Sequence, residues 1–85
     1  MAKLFHLSIT TPDKTVYDGN VQSLVAPGDI GYLGILADHA PLATPLATGK
    51  LTLRDASGKA MVLNMTERGF LEVSNNKATV LLNSI

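Results

Sequence analysis

Apolar and polar residues alternate along most of this chain. In residues 3–10 (K-L-F-H-L-S-I-T), Phe5, Leu7 and Ile9 fall on one side and His6, Ser8 and Thr10 on the other. That period of two predicts a half-buried strand. Residues 11–14 (T-P-D-K) read as a turn, with Pro12 presetting φ and Asp13 placed to close an Asx bond. A short strand is predicted over residues 15–20, ending at the Gly19-Asn20 punctuation, and another over residues 21–26. In the latter, Val21, Ser23 and Val25 oppose Gln22, Leu24 and Ala26. Neither face is purely polar, so this strand is expected to be covered on both sides. Leu51 and Leu53 point inward from a clean alternation over residues 49–54, and Met61, Leu63 and Met65 share a face of the next strand. Residues 55–58 (D-A-S-G) and 74–77 (S-N-N-K) read as hairpin turns, because Gly and consecutive Asn tolerate positive φ. The last strands fall over residues 69–73 and 78–82.

No window of eleven residues shows helical spacing free of Gly or Pro. Turns recur about every ten residues, the signature of a β-sandwich or small barrel. The expectation is one all-β domain over residues 1–85, with eight to ten short strands.

Residues 26–46 (A-P-G-D-I-G-Y-L-G-I-L-A-D-H-A-P-L-A-T-P-L) break the rhythm. The stretch is apolar, yet Gly28, Gly31 and Gly34 interrupt it every third residue, and it holds three of the four prolines. It cannot be one regular element. It is read as a partner-docking edge.

Composition narrows the function. Seven basic and seven acidic side chains cancel, so there is no electrostatic footprint for nucleic acid or an anionic membrane surface. The chain is 46% hydrophobic but only 16% charged, a balance expected when a partner covers some apolar surface. There is no cysteine, hence no disulfide framework and no Cys-based zinc site. The two histidines have no neighbours at metal-ligand spacing. Nothing is long and apolar enough to insert in a membrane, and the first residues lack the apolar core of a signal peptide. A cytoplasmic location is expected.

The candidate chemistry is thin. The Gly28/Gly31/Gly34 spacing is wrong for a dinucleotide loop, which needs G-x-G-x-x-G between strand and helix. Thr48-Gly49-Lys50 resembles the end of a phosphate loop, but Thr44 and Leu51 stand where that motif needs Gly and Ser or Thr. Asp38 and His39 are adjacent, so on extended chain they point to opposite faces and do not form an acid–base pair. His39 is expected to pack or hydrogen-bond, and Asp38 to cap a turn. Asn64-Met65-Thr66 matches a glycosylation sequon by chance. Met61 and Met65 read as core filler. Glu67-Arg68 reads as a solvated strand end, with a partner contact as the alternative. No catalytic, metal-binding or cofactor-binding residues are expected.

Taken together, L-F-H-L-S-I-T-T-P-D, V-Y-D-G, the Gly31–Leu42 core G-Y-L-G-I-L-A-D-H-A-P-L, L-A-T-G-K-L and the closing G-F-L-E-V-S-N-N-K-A-T-V-L resemble, over essentially the whole chain and in order, the ε subunit of F-type ATP synthases. The resemblance implies a flattened β-sandwich of about ten short, mostly antiparallel strands. It also implies a non-catalytic subunit of the central stalk, bound to the γ subunit and to the c-ring. Such a subunit turns with the rotor and helps couple proton flow to ATP synthesis. By the same resemblance, Asp29, Ile30, Gly31 and Tyr32 match the tip that meets the c-ring. His39, Ala40, Pro41, Leu42, Ala43 and Thr44 match the region near γ and the ring. The implied location is peripheral, on the cytoplasmic face of a bacterial inner membrane.

Two departures matter. Many family members carry acidic residues at the tip, where this chain has Ile30 and Tyr32 beside Asp29; its ring contact is expected to be more apolar and aromatic. The family also continues into a pair of C-terminal helices that carry an inhibitory switch and, in some members, an ATP site. This sequence stops at Ile85, so neither property carries over. A small β-sandwich that binds a ligand is the alternative function.

Overall fold

The computed structural model describes residues 2–84. They form eight strands: β1 (Phe5–Thr10), β2 (Thr15–Gly28), β3 (Gly31–Leu36), β4 (Leu42–Leu46), β5 (Gly49–Asp55), β6 (Ala60–Met65), β7 (Gly69–Ser74) and β8 (Lys77–Leu82). There is no helix among the described residues. The count lies within the eight to ten expected from the sequence, though one predicted break, at Gly19-Asn20, does not occur, because β2 runs unbroken for 14 residues. Gly19 has a packing role there. The Tyr17 hydroxyl lies 3.3 Å from where a Cβ at Gly19 would sit, so the missing side chain makes room for the tyrosine ring.

β2 belongs to both layers of the sandwich. Its first half pairs antiparallel with β1 (Phe5↔Val21 to Thr10↔Thr15), and β1 continues to β8, β7 and β4. Its second half lies between β3 (Ser23↔Leu36 to Gly28↔Gly31) and β5, with β6 beyond. All pairings are antiparallel except β1–β8. A single pair, Gly28↔Leu46, joins β4 back to β2.

The crossing strand explains a failure of the simple alternation. The register with β5 shifts between Val21 and Ser23, a β-bulge that leaves Gln22 as the extra residue. Val21 and Leu24 are therefore both buried, and Ala26 follows Leu24 inward, while Val25 stays on the open side. The expectation that this segment is covered on both faces is corrected: only its inner face is.

One apolar cluster fills the space between the layers. Leu7, Ile9, Leu71, Val80 and Leu46 come from one sheet and Leu24, Ile35, Leu51 and Leu53 from the other, all fully buried, and no polar or charged residue is buried with them. Burying each such side chain stabilises by roughly 1.5–3 kcal/mol before the entropy of ordering is subtracted. Among the described residues Phe5 is the one buried aromatic side chain. The expected face of Met61, Leu63 and Met65 is only partly core: Met65 is buried, but Met61 is 45% exposed. β6 pairs with β5 alone, as the edge strand of its layer.

The turns follow local chemistry. At residues 11–14 the brace is Thr11 instead of Asp13: its Oγ1 accepts from the amides of Asp13 and Lys14 at 3.3 and 3.2 Å. In the β5–β6 hairpin, Asp55 Oδ1 accepts from Ser57 Oγ (2.7 Å), Ser57 N (2.9 Å) and Lys59 N (2.9 Å), with Gly58 at φ 90° as expected. The Ser57 hydroxyl, then the Lys59 amide, hold the Asp55 carboxyl below the usual aspartate range. The β7–β8 hairpin turns on Asn75 and Asn76 at φ 51° and 60°, the left-handed pair of a two-residue turn.

Asn76 also ties three segments. Its Nδ2 donates to the Leu4 carbonyl (3.0 Å), its Oδ1 accepts from the Asp38 amide (2.8 Å), and its own carbonyl accepts from the His6 amide (3.2 Å). Asn76→Ala, which removes both side-chain bonds and suits positive φ poorly, should destabilise the fold by about 2–3 kcal/mol in a denaturant titration. Asn76→Gly loses the same two bonds but suits the positive φ, so it should lose less; equal losses would mean that backbone strain contributes nothing and that the side-chain bonds account for the whole effect. For Asp55 the folded-state pKa is depressed, so its contribution is present above the unfolded value of about 3.9 and is lost as pH falls through the lower folded value. Stability measured across that acid range should fall less steeply in Asp55→Asn.

Candidate partner-docking surface

The tip of the β2–β3 hairpin is a two-residue connection, Asp29-Ile30, between the paired Gly28 and Gly31. Its glycines do different work. A Cβ on Gly28 would stand 2.7 Å from the Gly31 carbonyl oxygen, and Gly31 adopts φ 137°, a region closed to most side chains. The hairpin can therefore close tightly, and it pushes Ile30 entirely into solvent, at 103% of its reference exposure. Tyr32 pairs across the hairpin with Pro27. Its hydroxyl lies 3.3 Å from the Cβ position of Gly49, so the ring leans on the start of β5 yet stays 61% exposed. A hollow of about 430 Å³ beside the tip is lined by Ile30, Tyr32, Leu33 and Thr44, among others.

The tip carboxylate is not free. Arg68 Nη2 lies 3.0 Å from both Asp29 oxygens. Arg68 stands just before β7, 39 residues away in sequence, and Asp29 raises its already high pKa through hydrogen bonding and charge. The solvated strand end read from Glu67-Arg68 is thus a link between the two layers on the Arg68 side.

The ten candidate residues do not form one patch. Asp29, Ile30, Gly31, Tyr32 and Thr44 gather at the tip. His39, Ala40 and Pro41 lie in the connection after β3, with Leu42 and Ala43 opening β4. That is the far end of β3, about 20 Å from the tip at about 3.3 Å per residue. At this far end the Asp38 backbone adopts φ 62°, its carboxylate pairs with Lys3 (3.1 Å), and His39 Nδ1 lies 2.7 Å from the Ala40 carbonyl oxygen. Asp38 and His39 thus engage different partners. His6, on the first strand, pairs with Asp18 of β2. Among the described residues no three His, Asp or Glu side chains converge.

Two exposed apolar rows escaped the sequence reading. Val25, Thr52 and Val62 line up in register with Gly34 across one layer, and Pro45, Phe70 and Leu81 across the other. The parity shift at Gln22 was the hidden signal for the first.

Residues 4–85 match the family profile described as the ATP synthase delta/epsilon chain β-sandwich domain. The chain belongs to that delta/epsilon family. It is 43% identical over 76 residues to the ATP synthase epsilon chain of Cyanothece sp. (89% of this chain, 54% of that one). It is 44% identical over 81 residues to the epsilon chain of Desulforamulus reducens (95% and 60%). In solved structures, a chain of the Euglena gracilis mitochondrial ATP synthase OSCP/F1/c-ring assembly superposes with a TM-score of 0.88 at 22% identity, covering 95% of this chain and 51% of that one. A chain of the Tetrahymena thermophila central stalk and c-ring superposes at 0.74 and 18% identity, covering 98% and 66%. At those identities the likeness is one of fold. The delta/epsilon sandwich described here spans 54–60% of the length of these two curated relatives.

Gly28→Ala should destabilise the sandwich by about 1–3 kcal/mol, because the new methyl meets a backbone oxygen. Ile30→Ala, two residues on, should change stability by no more than about 0.5 kcal/mol. Thermal or denaturant unfolding of the two variants checks both.

Proposed function

We propose that this domain is a non-catalytic rotor subunit of the central stalk of a proton-translocating F-type ATP synthase, bound to the γ subunit and to the c-ring. In that role it transmits rotation and so helps couple proton flow to ATP synthesis. Membership of the delta/epsilon family across residues 4–85 carries the reading. The surface supports it: a neutral sandwich keeps apolar side chains exposed at its tip and along two strand rows. The tip around Ile30 and Tyr32 is the ring contact. The far end, His39 to Ala43, is assigned to γ. Since the two groups stand at opposite ends of β3, the domain can touch both partners at once. In the proposed role the chain sits peripherally at the cytoplasmic face of a bacterial inner membrane. No observation favours a small-ligand module: His39 turns to its neighbour's carbonyl, and the interior is filled by apolar side chains.

The test is association of the purified chain with a γ subunit from the same source, by gel filtration and calorimetry; no complex at micromolar concentrations would sink the reading. Tyr32→Asp places a carboxylate where an aromatic anchor is expected. It should weaken binding to the c-ring by about tenfold or more, with thermal stability nearly unchanged. A large drop in stability would make Tyr32 a structural residue instead.

A further inference from the structure

An open sheet edge carries a row of unpaired amides and carbonyls, and folded proteins usually blunt it with a charge, a proline or a bulge. β6 has none of these. It reads A-M-V-L-N-M, keeps one register with β5 along its whole length, and among the described residues pairs with no other strand. The ladder decides which of its backbone groups are free. The Asp55 amide donates to the Lys59 carbonyl (2.9 Å), so these two form a hydrogen-bonded pair, and such pairs recur at every second position of an antiparallel ladder. Met61, Leu63 and Met65 therefore bond to β5, while the amides and carbonyls of Ala60, Val62 and Asn64 point outward. Met61 and Val62 stand exposed along this edge, on opposite faces of the strand.

The charges beside the edge point to its partner. The uncharged run 60–66 lies between Lys59 and Glu67, with Leu63 at its midpoint. Both flanking residues are exposed, and Glu67 accepts from the neutral Ser84 hydroxyl, which leaves its charge uncompensated. Two copies of this run laid antiparallel about Leu63 set Lys59 of each opposite Glu67 of the other, so both ends attract. In the same register Met61 faces Met65, and Val62 faces Asn64, of the second copy, and the outward amides of each strand meet the outward carbonyls of the other. The open edge of β3 offers no such fit. It runs between two residues of one sign, Asp29 and Asp38, and these are already held by Arg68 and Lys3.

We propose that β6 pairs antiparallel with β6 of a second copy of this chain, in a twofold dimer centred on Leu63. The layer β3–β2–β5–β6 then continues through the twofold axis into its counterpart. Each copy uses the same edge, so the pairing closes at two chains instead of growing into a filament. It goes beyond the stalk role and does not depend on it, since no residue of β6 is assigned to γ or to the ring.

Sedimentation of the purified chain tests this. It should run as a monomer near about 1 µM and as a dimer near about 200 µM, the weak range of a small interface. Asn64→Pro removes an amide that faces the open edge and breaks no bond inside the monomer. It should stay monomeric at the higher concentration, with the circular dichroism of the folded sandwich. Two charge variants test the register and remain informative even if the proline unfolds the chain. Lys59→Glu sets like charges together at both ends and should weaken dimerisation by about tenfold. Lys59→Glu/Glu67→Lys restores opposite charges and should return to within about threefold of wild type. A wild-type chain that stays monomeric throughout would overturn the proposal, as would growth past the dimer. A folded Asn64→Pro variant that dimerises as wild type would move the contact off β6, and a double variant no tighter than the single one would rule out the antiparallel pairing about Leu63; either result sinks the proposal.

Discussion

Everything in this sandwich depends on one strand serving two layers. β2 leaves one sheet and enters the other without a break, so it must bury residues toward a core that lies on a different side of its pleat after the crossing. A strictly alternating strand cannot do this. The extra residue at Gln22 resets the parity, which keeps Val21, Leu24 and Ala26 all in the apolar cluster. The Gln22 amide group finds the Ala56 carbonyl at 3.2 Å, so the bulged residue is tied to the neighbouring hairpin.

Much of this fold was legible in the sequence, and the unreadable parts share a cause. The inward sets of β1 and β5 follow from period two, and the turns at Gly58 and Asn75-Asn76 follow from the φ those residues tolerate. These are local facts. What misled were residues whose meaning depends on a neighbour. Gly19 looks like a break until Tyr17 is seen to need its space. Met61 looks like core from its spacing with Met65, yet it lies on an edge strand and stays largely exposed. Thr11 braces a turn that Asp13 seemed placed to brace.

The site divides in the same way. Residues 26–46 were conspicuous because glycine interrupts an apolar run, and the structure assigns those glycines separate tasks. Gly28 permits a close approach to a carbonyl and Gly31 a positive φ, while a side chain at Gly34 would meet only open space. The hairpin tip was therefore visible. Its electrostatic state was not, because Arg68 lies far along the chain and carries no local mark of its partner. Nor could spacing along the sequence reveal that Thr44 joins the tip while His39 stands at the opposite end.

The parallel alignment of β1 with β8 brings the earliest strand against the latest, and Asn76 closes the same seam across 72 residues. Such contacts close a long loop before they return any stabilisation, which makes folding slow for a domain of this size. On a ribosome the consequence is stricter. Phe5, Leu7 and Ile9 cannot complete their packing against Ala78, Val80 and Leu82 until β8 has emerged. Until then the nascent sandwich exposes one flank of its core and the open edge of β1, so its synthesis has a window of vulnerability to mispairing that closes only with β8.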